Sequence, residues 1–344
     1  HIPFGHNLED QTGLLERHDT PARFAAALSR GELGKVLDEL GIRDAVLAVL
    51  TGHGDAAPFL QQVLSDTIDA DLLDYLRRDA YYTGLELRYD DRVAGYFRVD
   101  RGSGQMYVDC EKDGMLREDI VSELIRLLET RYHFSERVYY HHAKVAAGAL
   151  VARMVELALR HGALRPEDLH GSTDQSLLDA LGRADLGAEH TERMRRFTAR
   201  FARRQLPKRV LVLPEYSNRG VQETLLRTYF TPGAPQARFE WESAMEQRIR
   251  AETGRDIDIV MYCPARSMQL KEARTLVRMP GRRTAPMSEL AAEIPRLADL
   301  QHSYLRLWKL YVFASEDDRV LRRRLQEMCL EALPEGCVNG LRLS

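Results

Sequence analysis

The chain has 344 residues, of which 44% are hydrophobic and 29% charged, and it carries a formal net charge of -3 at pH 7. That length and composition suit a soluble protein with one big domain and a smaller lobe, and the nearly balanced charge provides no global field for nucleic acid, which is not expected as a partner. No apolar run approaches the roughly 18 to 20 residues that span a bilayer, and no secretory signal opens the chain, so a cytoplasmic protein without a membrane partner is expected.

The chain opens HIPFGHNLEDQTGLLERHD, with no starting Met, and the expectation is that part of the natural protein precedes it. His6 and Glu9 stand three apart, on one face if Gly5 starts a helix, and His18 with Asp19 follows. An imidazole beside a carboxylate suits proton transfer or phosphate handling near neutral pH; the alternative is a set of solvated side chains at a chain end. Short helices are predicted from Thr20 to Gln62. PARFAAALSR has Pro21 near its start, and GELGKVLDELG and GIRDAVLAVLTG each end in Gly. His53 falls in a turn between Gly52 and Gly54.

The stretch Ile68 to Gly84, IDADLLDYLRRDAYYTG, concentrates four Asp, two Arg and three Tyr. At helical spacing Asp71, Tyr75, Arg78 and Tyr82 share one side, with Leu72, Leu76 and Asp79 displaced toward another. Chelating and stacking groups then share a wall, or else the helix is half-buried with solvated charges. After Gly84 the period changes: Val93 to Asp100 and Gln105 to Cys110 flank RGSG and read as a hairpin.

Helix returns with LREDIVSELIRLLETRYHF, where Ile120, Leu124, Leu127 and Leu128 recur at three- and four-residue steps. It runs into SERVYYHHAKVAAGALVARMVELALRHG, with Val145, Ala149, Met154 and Leu157 toward a core and Arg131, Arg137, Tyr139 and His141 near its start. The arginines of EHTERMRRFTARFARRQ form either a solvated face or a polyanion site at an oligomer interface. Beyond Pro207, KRVLVLP, DIDIVMYC, ARTLVRM and LRLWKLYVF read as strands, and RGVQETLLRTYF, ARFEWESAMEQRIRAETG and DDRVLRRRLQEMCLEALPEG as helices. Cys110, Cys263, Cys329 and Cys337 lie far apart with no CxxC spacing, which argues against a zinc ribbon or a disulfide scaffold.

Three of these segments, in order, resemble the HD superfamily of phosphohydrolases, and more narrowly its dNTP triphosphohydrolases. HIPFGHNLED is similar to the segment just after that family's His-Asp pair, IDADLLDYLRRD to its distal metal-binding Asp segment, and TRYHFSERVYYHH to its Arg and Tyr-x-His segment. DIDIVMYCPARSMQLKEA resembles the family's small C-terminal lobe. The resemblance implies a mainly α fold: a helical HD core over 1–206 with a small β-hairpin insertion, and a smaller α+β lobe over 207–344.

It also implies a divalent metal cofactor (Mn, Mg, Fe or Zn) with Asp71 as a ligand, His6 and Glu9 as a catalytic pair, and His18 as a further active-site histidine. Arg131 matches a phosphate-binding arginine, and Tyr75, Asp79 and Tyr139 match residues around the deoxyribose and base. Arg137 and His141 match a segment that lies by the substrate or a regulatory nucleotide. A homo-oligomer is expected. The implied activity is metal-dependent hydrolysis of a deoxynucleoside triphosphate to deoxynucleoside and triphosphate; hydrolysis of another nucleotide, or nucleotide sensing with a degenerate metal site, stays open. Two departures stand out. The family's upstream His and His-Asp pair do not precede His1, and Leu72 stands where a relative has a phosphate-binding Lys, for which Arg77 or Arg78 is the alternative.

Overall fold

The computed structural model describes residues 4–9, 20–29, 31–169, 171–230, 235–265, 268, 271–281 and 283–343. The fold is mainly α with small sheets. The chain divides into two compact units, each discontinuous in sequence: unit 1 holds 1–18, 139–268 and 305–344, and unit 2 holds 19–138 and 269–304.

Unit 2 begins with four short helices, α2 Pro21–Leu28, α3 Gly31–Glu39, α4 Arg43–Thr51 and α5 Pro58–Ser65, counted after α1 Gly5–Glu9 of unit 1. Pro21 and Pro58 start their helices, where a missing N–H costs nothing. Gly52 ends α4 in the left-handed conformation, φ 68°, that a side chain would strain. Next comes α6, Ala70–Thr83. Asp69 caps it, one carboxylate oxygen accepting the Leu72 N–H at 2.8 Å. Leu72 and Leu76 are buried, while Asp71, Arg78 and Tyr82 are exposed, as the helical spacing predicts.

The hairpin is shorter than its apolar pattern suggests. Residues Asp91–Tyr96 form a 3-10 turn, and only β1 Phe97–Val99 and β2 Met106–Asp109 pair. The reason is local: the Asp90 carboxylate accepts the Arg92 N–H at 2.9 Å and starts a helical turn before any strand can form. A second, two-residue hairpin, β3 Glu111–Lys112 and β4 Met115–Leu116, leads into α7, Glu118–Phe134. The buried Ile120, Leu124, Leu127 and Leu128 of α7 supply much of the unit's core. Far along the chain, β7 Leu276–Met279 pairs parallel with β2, and β8 Arg283–Pro286 pairs antiparallel with β7. A sheet of order β1-β2-β7-β8 results.

A π-helical turn, Ser135–Tyr139, follows α7 and precedes α8, His142–Arg160. Unit 1 is built on α8, buried almost continuously from Val145 to Ala158. Packed with it are α9 Asp174–Arg183 and α10 Ala188–Ala202, and α12 Pro235–Thr253 pairs with it through buried charges, while α11 Glu215–Tyr229 packs on α12. Its sheet has β9 Lys309–Ala314 at the centre, antiparallel to β5 Lys208–Pro214 and β6 Ile259–Tyr262. The expected strand LRLWKLYVF starts late: α13 Pro295–Leu305 takes its first residue, a turn follows, and β9 begins only where Lys309 meets Pro214. The helix α14, Arg319–Glu331, closes the chain. Among the described residues no helix is long and apolar enough to cross a membrane.

Candidate functional site

In unit 2, the N-terminus of α6 and the C-terminal part of α7 bring charged groups together that are some 60 positions apart in sequence. Asp69 is half-buried, and burial pushes its carboxyl up from the ordinary value. The Leu72 N–H pulls the other way, the Asp71 and Asp66 charges raise it further, and Arg131 lowers it. The helices α6 and α7 pack together, and the charges of Asp71 and Arg131, predicted separately as metal ligand and phosphate binder, are both felt at Asp69. Asp71 stands at the second position of α6, where a carboxylate is also favoured by the helix dipole. Tyr75 and Asp79 are half-buried one and two turns further along; Arg137 is exposed in the π-helical turn.

The two arginines of α6 have partners of their own. Arg77 is paired with Asp91 and lies 4.8 Å from the centroid of Tyr89, whose hydroxyl donates to the Leu73 carbonyl. Arg78 is paired with Asp74 one turn away. Leu72, at the position where a relative carries a Lys, is buried in the core.

A metal needs several donors around one point. Among the described residues no three His, Cys, Asp or Glu side chains are so arranged. Asp69 is engaged as a cap, and Asp66 accepts the Thr67 N–H at 2.8 Å. The described residues thus offer Asp71 as a hard oxygen donor but do not compose a metal site.

In unit 1, α1 contains His6 and Glu9; its backbone is described, the two side chains are not, and His18 lies outside the described residues. Tyr139 is half-buried at the end of the π-helical turn. His141 caps α8, its Nδ1 accepting the Ala143 N–H at 3.4 Å, and its ring lies 4.2 Å from that of His142.

His142 opens onto a feature that sequence reading missed. A cavity of about 390 Å³ is lined by His142, Arg204, Lys208, Arg209, Arg319, Arg322 and Arg342, with no Asp or Glu among the described residues on its wall. Burial lowers the His142 pKa, and Arg209, His141 and Lys208 lower it further. Lys208 is also paired with Asp317 at 3.6 Å, and the remaining positive charge suits an anion. The cavity's sequence signals were scattered, the pairs Arg203-Arg204 and Lys208-Arg209 and the run Arg322-Arg323-Arg324 of α14, while Arg342 arrives from the segment after α14. The helix α10, by contrast, spends two of its arginines inside unit 1: Arg193 pairs with Glu246 and Asp258, and Arg196 with Asp258 at 3.3 Å.

Comparison with known proteins adds two findings. The family described as the HD associated region matches residues 108–333. A solved structure of a phosphohydrolase from Bacteroides thetaiotaomicron is similar in fold, with a TM-score of 0.55 at 16% identity, covering 92% of this chain and 76% of that one. No curated protein matches.

Proposed function

The chain belongs to the family of HD associated regions, and from that premise we propose that it is part of a metal-dependent phosphohydrolase that cleaves deoxynucleoside triphosphates to deoxynucleoside and triphosphate. The observation that carries the reading is the packing of α6 on α7 in unit 2, which leaves the charges of Asp71 and Arg131 both felt at Asp69, a carboxylate suited to a cation and a guanidinium suited to a phosphate. The fold likeness to a protein called a phosphohydrolase points the same way.

Each side chain then has a task. Arg131 presents a planar fork to two phosphate oxygens, which a Lys could not do. His6, with Glu9 supporting its charged form, protonates the leaving oxygen. Tyr75, Asp79 and Tyr139 border the sugar and base, where a ring edge excludes a 2′-hydroxyl by sterics. Arg137 and His141 lie by the substrate or a regulatory nucleotide, and His18 is a further histidine of the reaction. Asp71 would be one ligand of the metal, and the described donors do not complete a set around it.

The test is direct. The full-length protein is incubated with each dNTP and with Mn or Mg, and products are separated by anion exchange; deoxynucleoside and triphosphate are expected. Failure with every dNTP rejects the reading, and a wider nucleotide panel in the same assay reveals another substrate. A second role has its own support in the cationic cavity of unit 1, which suits the polyphosphate of a regulatory nucleotide. Binding of a nucleotide without turnover would favour a sensor over an enzyme.

A further inference from the structure

The helix α1 has five residues, too few to hold a helical conformation by its own hydrogen bonds, yet it contains His6 and Glu9. Contacts within unit 1 hold it. Leu8 is fully buried in the core cluster that includes Val145 and Ala149. Phe4 sits at φ 50°, a left-handed conformation that strains a bulky residue. It is kept there from both ends: its N–H donates to Asp174 Oδ1 at 3.2 Å, and its ring stands edge-on to Phe201 at 6.4 Å.

The remaining contact is the most specific. Asn7 lies against α8 at Gly148, where a Cβ would stand 3.0 Å from Tyr262 Oη and 3.2 Å from both Asn7 Nδ2 and Asn7 Oδ1. The carboxamide and the phenol thus occupy the volume that any side chain at 148 would need. Gly148 is in ordinary helical backbone, so what requires glycine here is this close approach and not its conformation. Lys144 Nζ, one turn earlier on α8, donates to Asn7 Oδ1 at 3.4 Å. Tyr262 is fully buried in β6, so the phenol cannot swing aside to make room.

We propose that Asn7 is a positioning residue: seated in the slot that Gly148 leaves on α8, it fixes the short helix that carries His6 and Glu9. The proposal rests on the reading of those two residues as the acid–base pair, but its geometry does not depend on that reading. The variants N7A, N7D and G148A separate the two. N7A empties the seat and G148A fills it, whereas N7D keeps the shape and adds attraction to Lys144.

In the full-length protein, N7A and G148A are expected to lower kcat on a dNTP about 10- to 100-fold, the loss that a misplacement of about 1 Å produces, with KM within about threefold. N7D is expected to keep kcat near the wild-type value. Hydrogen exchange of the Asn7 and Leu8 amides, which bond to Phe4 O, should accelerate in N7A and G148A and not in N7D, while amides of residues 150–158 keep their protection. A kcat loss in N7D as large as in N7A overturns the proposal. So does unchanged exchange at residues 7 and 8 in both N7A and G148A, or a fall in kcat no larger than the unfolded fraction explains. If the wild type turns over no nucleotide, the functional reading fails and the exchange data alone decide the seat.

Discussion

Replacing Glu242 with Leu should nearly unfold unit 1, because its carboxylate belongs to a charged cluster deep in the core. Glu242 is fully buried and paired with Arg153, itself buried with its guanidinium 3.9 Å from the centroid of Phe239. Its other oxygen accepts the Met261 N–H at 2.7 Å. The second pair, Arg238 with Glu156, is equally buried, and Arg153 lies 3.9 Å from Glu156. Two arginines and two glutamates balance. In E242L, two guanidinium groups would share one carboxylate, and stranding a buried charge costs about 3–5 kcal/mol. The Met261 N–H loses its acceptor for about 1–3 kcal/mol more, and burial of the leucine returns roughly 1.5–3 kcal/mol. The net is a loss of about 3–5 kcal/mol, a large share of the roughly 5–15 kcal/mol available to a folded domain.

The double variant R153M/E242L removes one charge of each sign and leaves Arg238 and Glu156 balanced, so it should be more stable than E242L alone by about 2 kcal/mol or more. Urea unfolding followed by the fluorescence of Trp241 and Trp308, both buried in unit 1, measures each. A cost for E242L below about 1 kcal/mol, the value of an exposed pair, would refute the reasoning, as would a double variant that loses the sum of the two single losses.

D71A should lose turnover and bound metal together while its melting temperature stays within about 2 °C of wild type, because Asp71 is exposed on α6 and packs no core; metal analysis and calorimetry check both halves. The raised Asp69 carboxyl means that the folded state holds its proton to higher pH than the unfolded chain does, so this group's contribution to stability falls as pH rises from the ordinary Asp value through the raised one. D69N keeps the cap and removes that slope, which urea titrations across the acid range will show; an unchanged slope contradicts the assignment. For the cationic cavity, R322E should weaken binding of inorganic tripolyphosphate at least about tenfold, the equivalent of roughly 1.4 kcal/mol. Binding should tighten as pH falls, because an anion favours the charged form of a histidine whose pKa its surroundings depress. Calorimetric titration at two pH values decides this.

Much of unit 2's helical structure was legible in one dimension. The helix α6 follows from its spacing, its Asp cap and its Gly stop, and the exposed Asp71 and buried Leu72 and Leu76 follow from a 100° step. The hairpin was legible as a turn between two apolar runs, but its first strand was overestimated because the Asp90 side chain, which forms a local turn, outweighs the alternation that suggests a strand. The parallel pairing of β2 with β7 was not legible: Val108 meets Val277 across a separation that no local pattern encodes. The cationic cavity was hidden for the same reason, since its arginines come from segments more than a hundred residues apart.

By itself, the sequence determined the positions of most elements, because periodicity and caps are local properties; the mainly helical class came from motifs that resemble the HD superfamily, as did the roles expected of Asp71, Arg131 and His6. Only the tertiary structure decided that α6 packs on α7, that Arg153 and Glu242 are buried as a pair, and that Asn7 meets α8 where Gly148 has no side chain. Those are distances between residues far apart along the chain, and packing sets them only after the local elements exist.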